Sequence, residues 1–157
     1  IIGPCLDLSD IERPMISMNY WAHLQPGLDG AALQYSVDGG KTWQNIGDAS
    51  GEGINWYNSQ NVVSRPGAQP IAWSDGDELD TAWVDARYAL DQIPRTERDQ
   101  VIFRIAFASN SDNPENVVFG GFAFDDIYIG EKRRTVIVEH FANEGAQTFS
   151  DAYLDNL

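Results

Sequence analysis

The residues able to do chemistry in this chain are few and scattered. Its two histidines, His23 and His140, stand far apart in strand-like runs, and neither has a metal-binding partner four residues on. No G-x-S-x-G elbow, H-E-x-x-H pair or phosphate-cradling glycine loop occurs. The single Cys5 excludes an intrachain disulfide and a four-thiolate zinc site, and at a strand start it is expected to be buried and inert. Asp125 and Asp126 form the most notable carboxylate pair. Successive strand residues point to opposite faces, so the two act together only where a bulge re-aims one. Either carboxylate, with Asp29, can contribute to a Ca²⁺ site, which takes about 6–8 oxygens. The alternative is a carboxylate satisfied by hydrogen bonds alone. The acidic run Asp75-Gly76-Asp77-Glu78-Leu79-Asp80 fails the EF-hand pattern, with Leu79 at the fifth position and no glycine at the sixth, and reads as a solvated loop. Nothing here assembles a catalytic centre, so the chain is expected not to be an enzyme.

Two other groups of residues carry a physical meaning. Ser36-Val37-Asp38-Gly39-Gly40-Lys41-Thr42-Trp43 fits S-x-D-x-G-x-T-W, the Asp box. In such a hairpin turn Asp38 accepts backbone N–H bonds, Gly40 supplies a left-handed conformation and Trp43 packs beneath; the role is structural, with ligand binding the alternative. Trp21, Trp56, Tyr57 and Trp73 lie on or near loop segments and can stack on sugar rings, the alternative being burial in a core.

These residues need elements to hold them. At 157 residues and 43% hydrophobic content, with five Trp, six Tyr and seven Phe, the chain can build one sizeable core and is not intrinsically disordered. No apolar run reaches the roughly 20 residues that cross a bilayer as a helix. Ten Lys plus Arg against 24 Asp plus Glu give a formal charge of -14, which repels nucleic acid and anionic membrane surfaces.

The elements read as short strands between Gly, Asp, Asn and Pro clusters. After an opening strand, residues 14–24 alternate, with Ile16, Met18, Tyr20, Ala22 and Leu24 on one face and Met15, Ser17, Asn19, Trp21 and His23 on the other. Residues 31–36 pair with 41–46 through the Asp38-Gly39-Gly40 turn, and 47–81 form a long irregular excursion. Strands are predicted over 83–90, 101–108 and 119–129, seven or eight before residue 130. This spacing points to an all-β, antiparallel β-sandwich of jelly-roll type. After Lys132-Arg133-Arg134 the texture changes: a strand-like run over 135–141 is followed by a predicted helix from Phe149 with Ser150 as N-cap. The expected division is a sandwich over 1–131 and the start of a second, α/β module over 132–157.

A family resemblance adds to this. Asp29-Gly30-Ala31-Ala32-Leu33-Gln34-Tyr35-Ser36 running into the Asp box, the opening Gly3-Pro4-Cys5-Leu6-Asp7-Leu8, Val101–Phe107, and Gly121-Phe122-Ala123-Phe124-Asp125-Asp126-Ile127 together resemble the signature segments of MAM-like, concanavalin-like jelly-roll domains of Bacteroidetes-type secreted surface proteins. The resemblance covers roughly residues 3–130. It implies a sandwich incomplete at its N-terminus, completed by the remainder of its own polypeptide or by a partner chain, and it allows a structural Ca²⁺. Arg134–Phe141 is similar to the opening strand of thioredoxin-like modules, but Ala142–Gln147 lacks their C-x-x-C pair.

The function this implies is a non-catalytic adhesion, recognition or spacer domain of a multidomain protein, extracellular or at the cell surface in association with the outer membrane. Its partner would be a glycan or a surface protein, not nucleic acid. Alternatives are a carbohydrate-binding module attached to a hydrolase, or a component or cargo of an outer-membrane secretion or surface assembly.

Overall fold

The computed structural model describes residues 1–74, 82–111 and 118–132, together with the backbone of strands Thr135–Val138 and Asp151–Leu154. The acidic run 75–80, His140 and Ser150 lie outside the described residues.

Among the described residues, seven strands precede residue 132: β1 (Ile2–Leu6), β2 (Pro14–His23), β3 (Gly30–Ser36), β4 (Gln44–Asn45), β5 (Val84–Ala89), β6 (Val101–Ala108) and β7 (Gly121–Glu131). They form two antiparallel sheets, one ordered β1-β6-β3-β4 and the other β5-β2-β7. Alternation along each strand drives the packing, because a period of two sends every second side chain to one face. Ile16 and Met18 of β2, Ala86 and Tyr88 of β5, Leu33 and Tyr35 of β3, and Val101, Phe103 and Ile105 of β6 join one buried cluster. Two sheets glued by their apolar inner faces thus make an all-β fold.

The excursion after β4 closes one side of this arrangement. Trp56, Tyr57 and Trp73 are 6%, 4% and 1% exposed and join the core, which corrects the expectation that they present open rings. Trp73 lies 4.9 Å from Trp56, 4.6 Å from Tyr57 and 5.2 Å from Tyr20, centroid to centroid. An irregular segment must satisfy its backbone to be buried. Trp73 does so by exchanging both backbone bonds with Ala31, at 2.9 Å each, while its indole N–H donates to the Asn55 carbonyl.

Three further expectations differ from the structure. The returning strand of the Asp-box hairpin is confined to Gln44–Asn45, because Asp38 holds the backbone N–H groups of Lys41 and Thr42 inside the turn. Cys5 is exposed, since β1 is an edge strand and Cys5 pairs with Ile102, whose side chain stands on the face opposite Val101 and Phe103. The segment predicted as a helix from Phe149 is strand β9 (Asp151–Leu154), paired antiparallel with β8 (Thr135–Val138). A β-branched run needs partners for its backbone, and a nine-residue helix is too short to compete by propensity alone.

Candidate functional site

The outer face of β5-β2-β7 gathers the polar and aromatic residues that alternation keeps out of the core. Along the central strand β2 these are Ser17, Asn19, Trp21 and His23. The register sets their neighbours. Asn19 lies between Asp85 of β5 and Asp125 of β7, Ser17 between Arg87 and Tyr128, and Trp21 is opposite Ala123. β5 pairs no further than Val84 opposite Tyr20, so Trp21 has no β5 residue beside it in register.

A β-bulge shapes this face. Between the pairs Ser17↔Tyr128 and Asn19↔Asp125, β7 carries one residue more than β2, and Asp126 takes φ 52°. Such a left-handed residue is characteristic of bulges and is tolerated by Asp better than by most side chains. The bulge re-aims Asp126, whose Oδ2 accepts the Asn19 side-chain N–H at 3.0 Å, while its own backbone N–H donates to Asp125 Oδ1 at 2.8 Å. Both aspartates are exposed. Beyond them, Arg87 makes a two-pronged pair with Asp85, at 2.7 and 3.0 Å. Both partners are largely solvated, so the pair orients side chains more than it stabilises the fold.

Trp21 is half-buried. Its position is fixed by Gly120, where an added Cβ would stand 2.4 Å from the indole Cη2. The Gly120 N–H donates to His23 Nδ1 at 2.9 Å, and the His23 ring lies 5.4 Å from Phe119 and 6.2 Å from Trp21. His23 therefore positions the segment leading into β7 against the indole. A half-buried indole, an amide and three carboxylates (Asp85, Asp125, Asp126) within two strand steps place an aromatic ring beside hydrogen-bonding groups on one face.

The other predicted site residues are placed elsewhere. Asp29 is buried in the turn just before β3 of the other sheet, where Oδ1 accepts the Asn110 N–H at 2.6 Å and Oδ2 the Gln25 N–H at 3.3 Å. It shares no site with Asp125 and Asp126, and among the described residues no three of His, Cys, Asp and Glu converge as metal ligands. Asp125, Asp126 and Asn19 do stand together, but they supply only part of the oxygen set a Ca²⁺ ion takes.

In the Asp box, Asp38 Oδ1 accepts the Lys41 and Thr42 backbone N–H groups and the Ser36 hydroxyl, and Oδ2 accepts the Thr42 hydroxyl. Gly40 has φ 85°, and the Trp43 indole donates back to the Gly40 carbonyl at 3.0 Å. Arg104 stacks on Trp43 at 4.1 Å. The bonds to Thr42, backbone then hydroxyl, hold the Asp38 carboxyl far below the ordinary carboxylate range. A depressed folded-state pKa contributes stability above the unfolded pKa of about 3.9, lost as pH falls toward the folded value. We expect a carboxyl NMR titration to find Asp38 still ionised at pH 3, where solvated aspartates are mostly protonated. Asp38→Ala should fray the 37–43 turn in amide exchange without unfolding the sheets; unchanged exchange there would contradict this account.

Neighbours across strands were the missing information in the sequence. Alternation along β2 already aligned Asn19, Trp21 and His23, but nothing local places Asp85 and Arg87 on one flank and Asp125, Asp126 and Tyr128 on the other.

A comparison with protein-family models finds no match to the chain, and a comparison with curated proteins finds none either.

Proposed function

We propose that this chain is a non-catalytic recognition domain of jelly-roll type, part of a secreted or surface-attached bacterial protein, and that it binds glycan on the outer face of β5-β2-β7. The observation that carries this reading is the half-buried Trp21 on one face with Asn19 and the bulged Asp125-Asp126 pair. Neighbouring outward positions on a strand are roughly 7 Å apart, so one saccharide unit stacked on Trp21 can reach the polar groups two residues away. The carboxylates of Asp85, Asp125 and Asp126 outnumber the Arg87 guanidinium on this face and repel uronates and sulfated sugars, leaving neutral or amino sugars as the ligand class. Acidity over the whole chain, at -14, suits a solvated exterior.

Glycan-array binding followed by calorimetry tests the reading. The wild-type domain should bind neutral or amino glycans, and Trp21→Ala should weaken the best of them by at least about tenfold, the equivalent of about 1.4 kcal/mol. Trp43→Ala, on the other sheet, should leave that affinity unchanged. No binding to any glycan, or equal binding by Trp21→Ala, would remove the proposal.

A further inference from the structure

The strands of the sheet β1-β6-β3-β4 contain one charged residue, Arg104, and no acid, although the chain carries 24 acids. Register places Arg104 on the outward face, in a row that crosses all four strands as Ile2, Arg104, Gln34 and Asn45. A ring and a buried amide fix its guanidinium. Cζ lies 4.1 Å from the centre of the Trp43 ring, which is itself held by its indole N–H on the Gly40 carbonyl. Nε donates to Gln34 Oε1 at 2.8 Å. Gln34 is fully buried, and its Nε2 donates to Asn45 Oδ1 at 2.8 Å and to the Gly67 carbonyl at 3.1 Å, so the amide cannot turn over. Gly67, at φ 62°, packs on this amide so closely that a Cβ would overlap it.

These contacts leave the outer fork of Arg104 unused. Nη1 and Nη2 bond no group of the described residues. No buried side-chain nitrogen among those residues lacks a partner, so both amino groups are open to solvent. Arg104 has no carboxylate partner there either, and both oxygens of Asp38 in the adjoining turn are engaged within that turn. Burial, with no opposite charge to offset it, pulls the guanidinium below its ordinary pKa. A planar fork held in one orientation grips a carboxylate through two parallel N–H bonds. The neighbours of this fork are apolar. Ile2, in register on β1, is 64% exposed, and Ile102 is the next outward residue on β6. Repulsion by the -14 charge grows with the charge of the ligand, which favours a single negative charge over a polyanion.

We propose that Arg104, set on Trp43, is an anion-binding site for a monocarboxylate borne on an apolar group, supplied by a free aliphatic acid or by the C-terminus of a chain ending in an apolar residue. The site lies on the sheet that does not carry Trp21 and is independent of glycan binding there.

An NMR titration with hexanoate, read at the Trp43 indole N–H and the Arg104 Nε–H, tests this. Hexanoate should shift both signals saturably, and hexanamide, the same body without the charge, should shift neither. Acetate and glucuronate, which lack the apolar body, should bind at least about fivefold more weakly. Arg104→Lys keeps the charge but loses the fork, and should weaken hexanoate binding by at least about tenfold. N-acetyl-leucine separates the two sources: tighter binding than hexanoate identifies a chain terminus, weaker binding a free acid. No saturable shift at these two groups, equal shifts with hexanamide, or equal affinity for acetate or in Arg104→Lys would overturn the proposal. The comparison of acid with amide uses the unaltered chain, so it decides the matter whether or not Arg104→Lys folds. Trp21→Ala should leave hexanoate binding unchanged, so this site and the glycan site can fail separately.

Discussion

Trp73→Ala is expected to destabilise the protein by about 3–5 kcal/mol, the range for truncating a buried Trp or Phe. The side chain is 1% exposed and touches the rings of Tyr20, Trp56, Tyr57 and Phe122, so it contacts β2, β7 and the excursion at once. Removing it leaves a cavity between rings that are themselves held in place. Trp56 donates its indole N–H to the Ile46 carbonyl at 2.8 Å and cannot slide into the gap without losing that bond. Trp73→Phe should cost less, about 1–3 kcal/mol, from the volume the smaller ring leaves unfilled together with the lost hydrogen bond to the Asn55 carbonyl. Urea unfolding read by far-ultraviolet circular dichroism measures both. A loss below about 1 kcal/mol for the alanine variant would show that the excursion is a cover and not part of the core.

The second large effect belongs to one hydroxyl. Tyr57 Oη accepts the Leu33 backbone N–H at 2.9 Å and donates to the Leu33 carbonyl at 2.7 Å. It stands in for the missing backbone acceptor of the Leu33 N–H, between the Ala31↔Trp73 bridge and the Gln34↔Asn45 pair, while the Ile46 N–H also bonds the Leu33 carbonyl. Tyr57→Phe keeps the ring and leaves the buried Leu33 N–H without its acceptor, while the Leu33 carbonyl keeps the Ile46 N–H at 3.0 Å. At about 1–3 kcal/mol for an unsatisfied buried group, the expected loss is about 1–3 kcal/mol. Burial, opposed in part by the Leu33 hydrogen bond, holds the Tyr57 phenol well above its ordinary pKa. Tyr88 is pushed up to about 12, first by burial and then by its hydrogen bond to Glu52. The unfolded chain therefore releases these protons near pH 10 while the folded chain keeps them, so stability falls as pH rises above about 10. Tyr57 alone contributes a slope of about 1.4 kcal/mol per pH unit there. Tyr57→Phe should flatten that limb by this amount; an unchanged alkaline slope would mean the phenol ionises equally in both states.

Trp21 and Trp73 show how far sequence reading reaches. Both are tryptophans in apolar-polar surroundings, and by type and spacing they look equally able to stack on a sugar. Period-two alternation puts Trp21 on the face of β2 opposite Ile16 and Met18, and the fold keeps it there. Trp73 lies in an irregular segment with no period to read. Its burial depends on an isolated bridge to Ala31, a contact across 42 positions of sequence that no local pattern announces. The Asp box sits at the other extreme. Its bonds join residues no more than four apart, so type and spacing alone predict them. Cys5 was misplaced for the same reason as Trp73: an apolar strand start looks alike whether it becomes an edge or a centre.

The aspartate pair lies between these cases. Adjacent strand residues cannot share a face unless an extra residue intervenes, and that condition is legible in Asp125-Asp126 itself. Whether the bulge exists depends on the register of β7 against β2, which is set by apolar residues facing inward along both strands.

The order of residues by itself determined the strand-rich character, the hairpin at Asp38, the alternation that puts Trp21 opposite Ile16 and Met18 on β2, and the acidic charge, because each follows from residues within a few positions or from composition. Which strands became neighbours and which aromatics were enclosed was decided only by the assembled sheets. Those outcomes depend on competition among distant apolar faces for the same buried volume, and a linear pattern does not record who wins it.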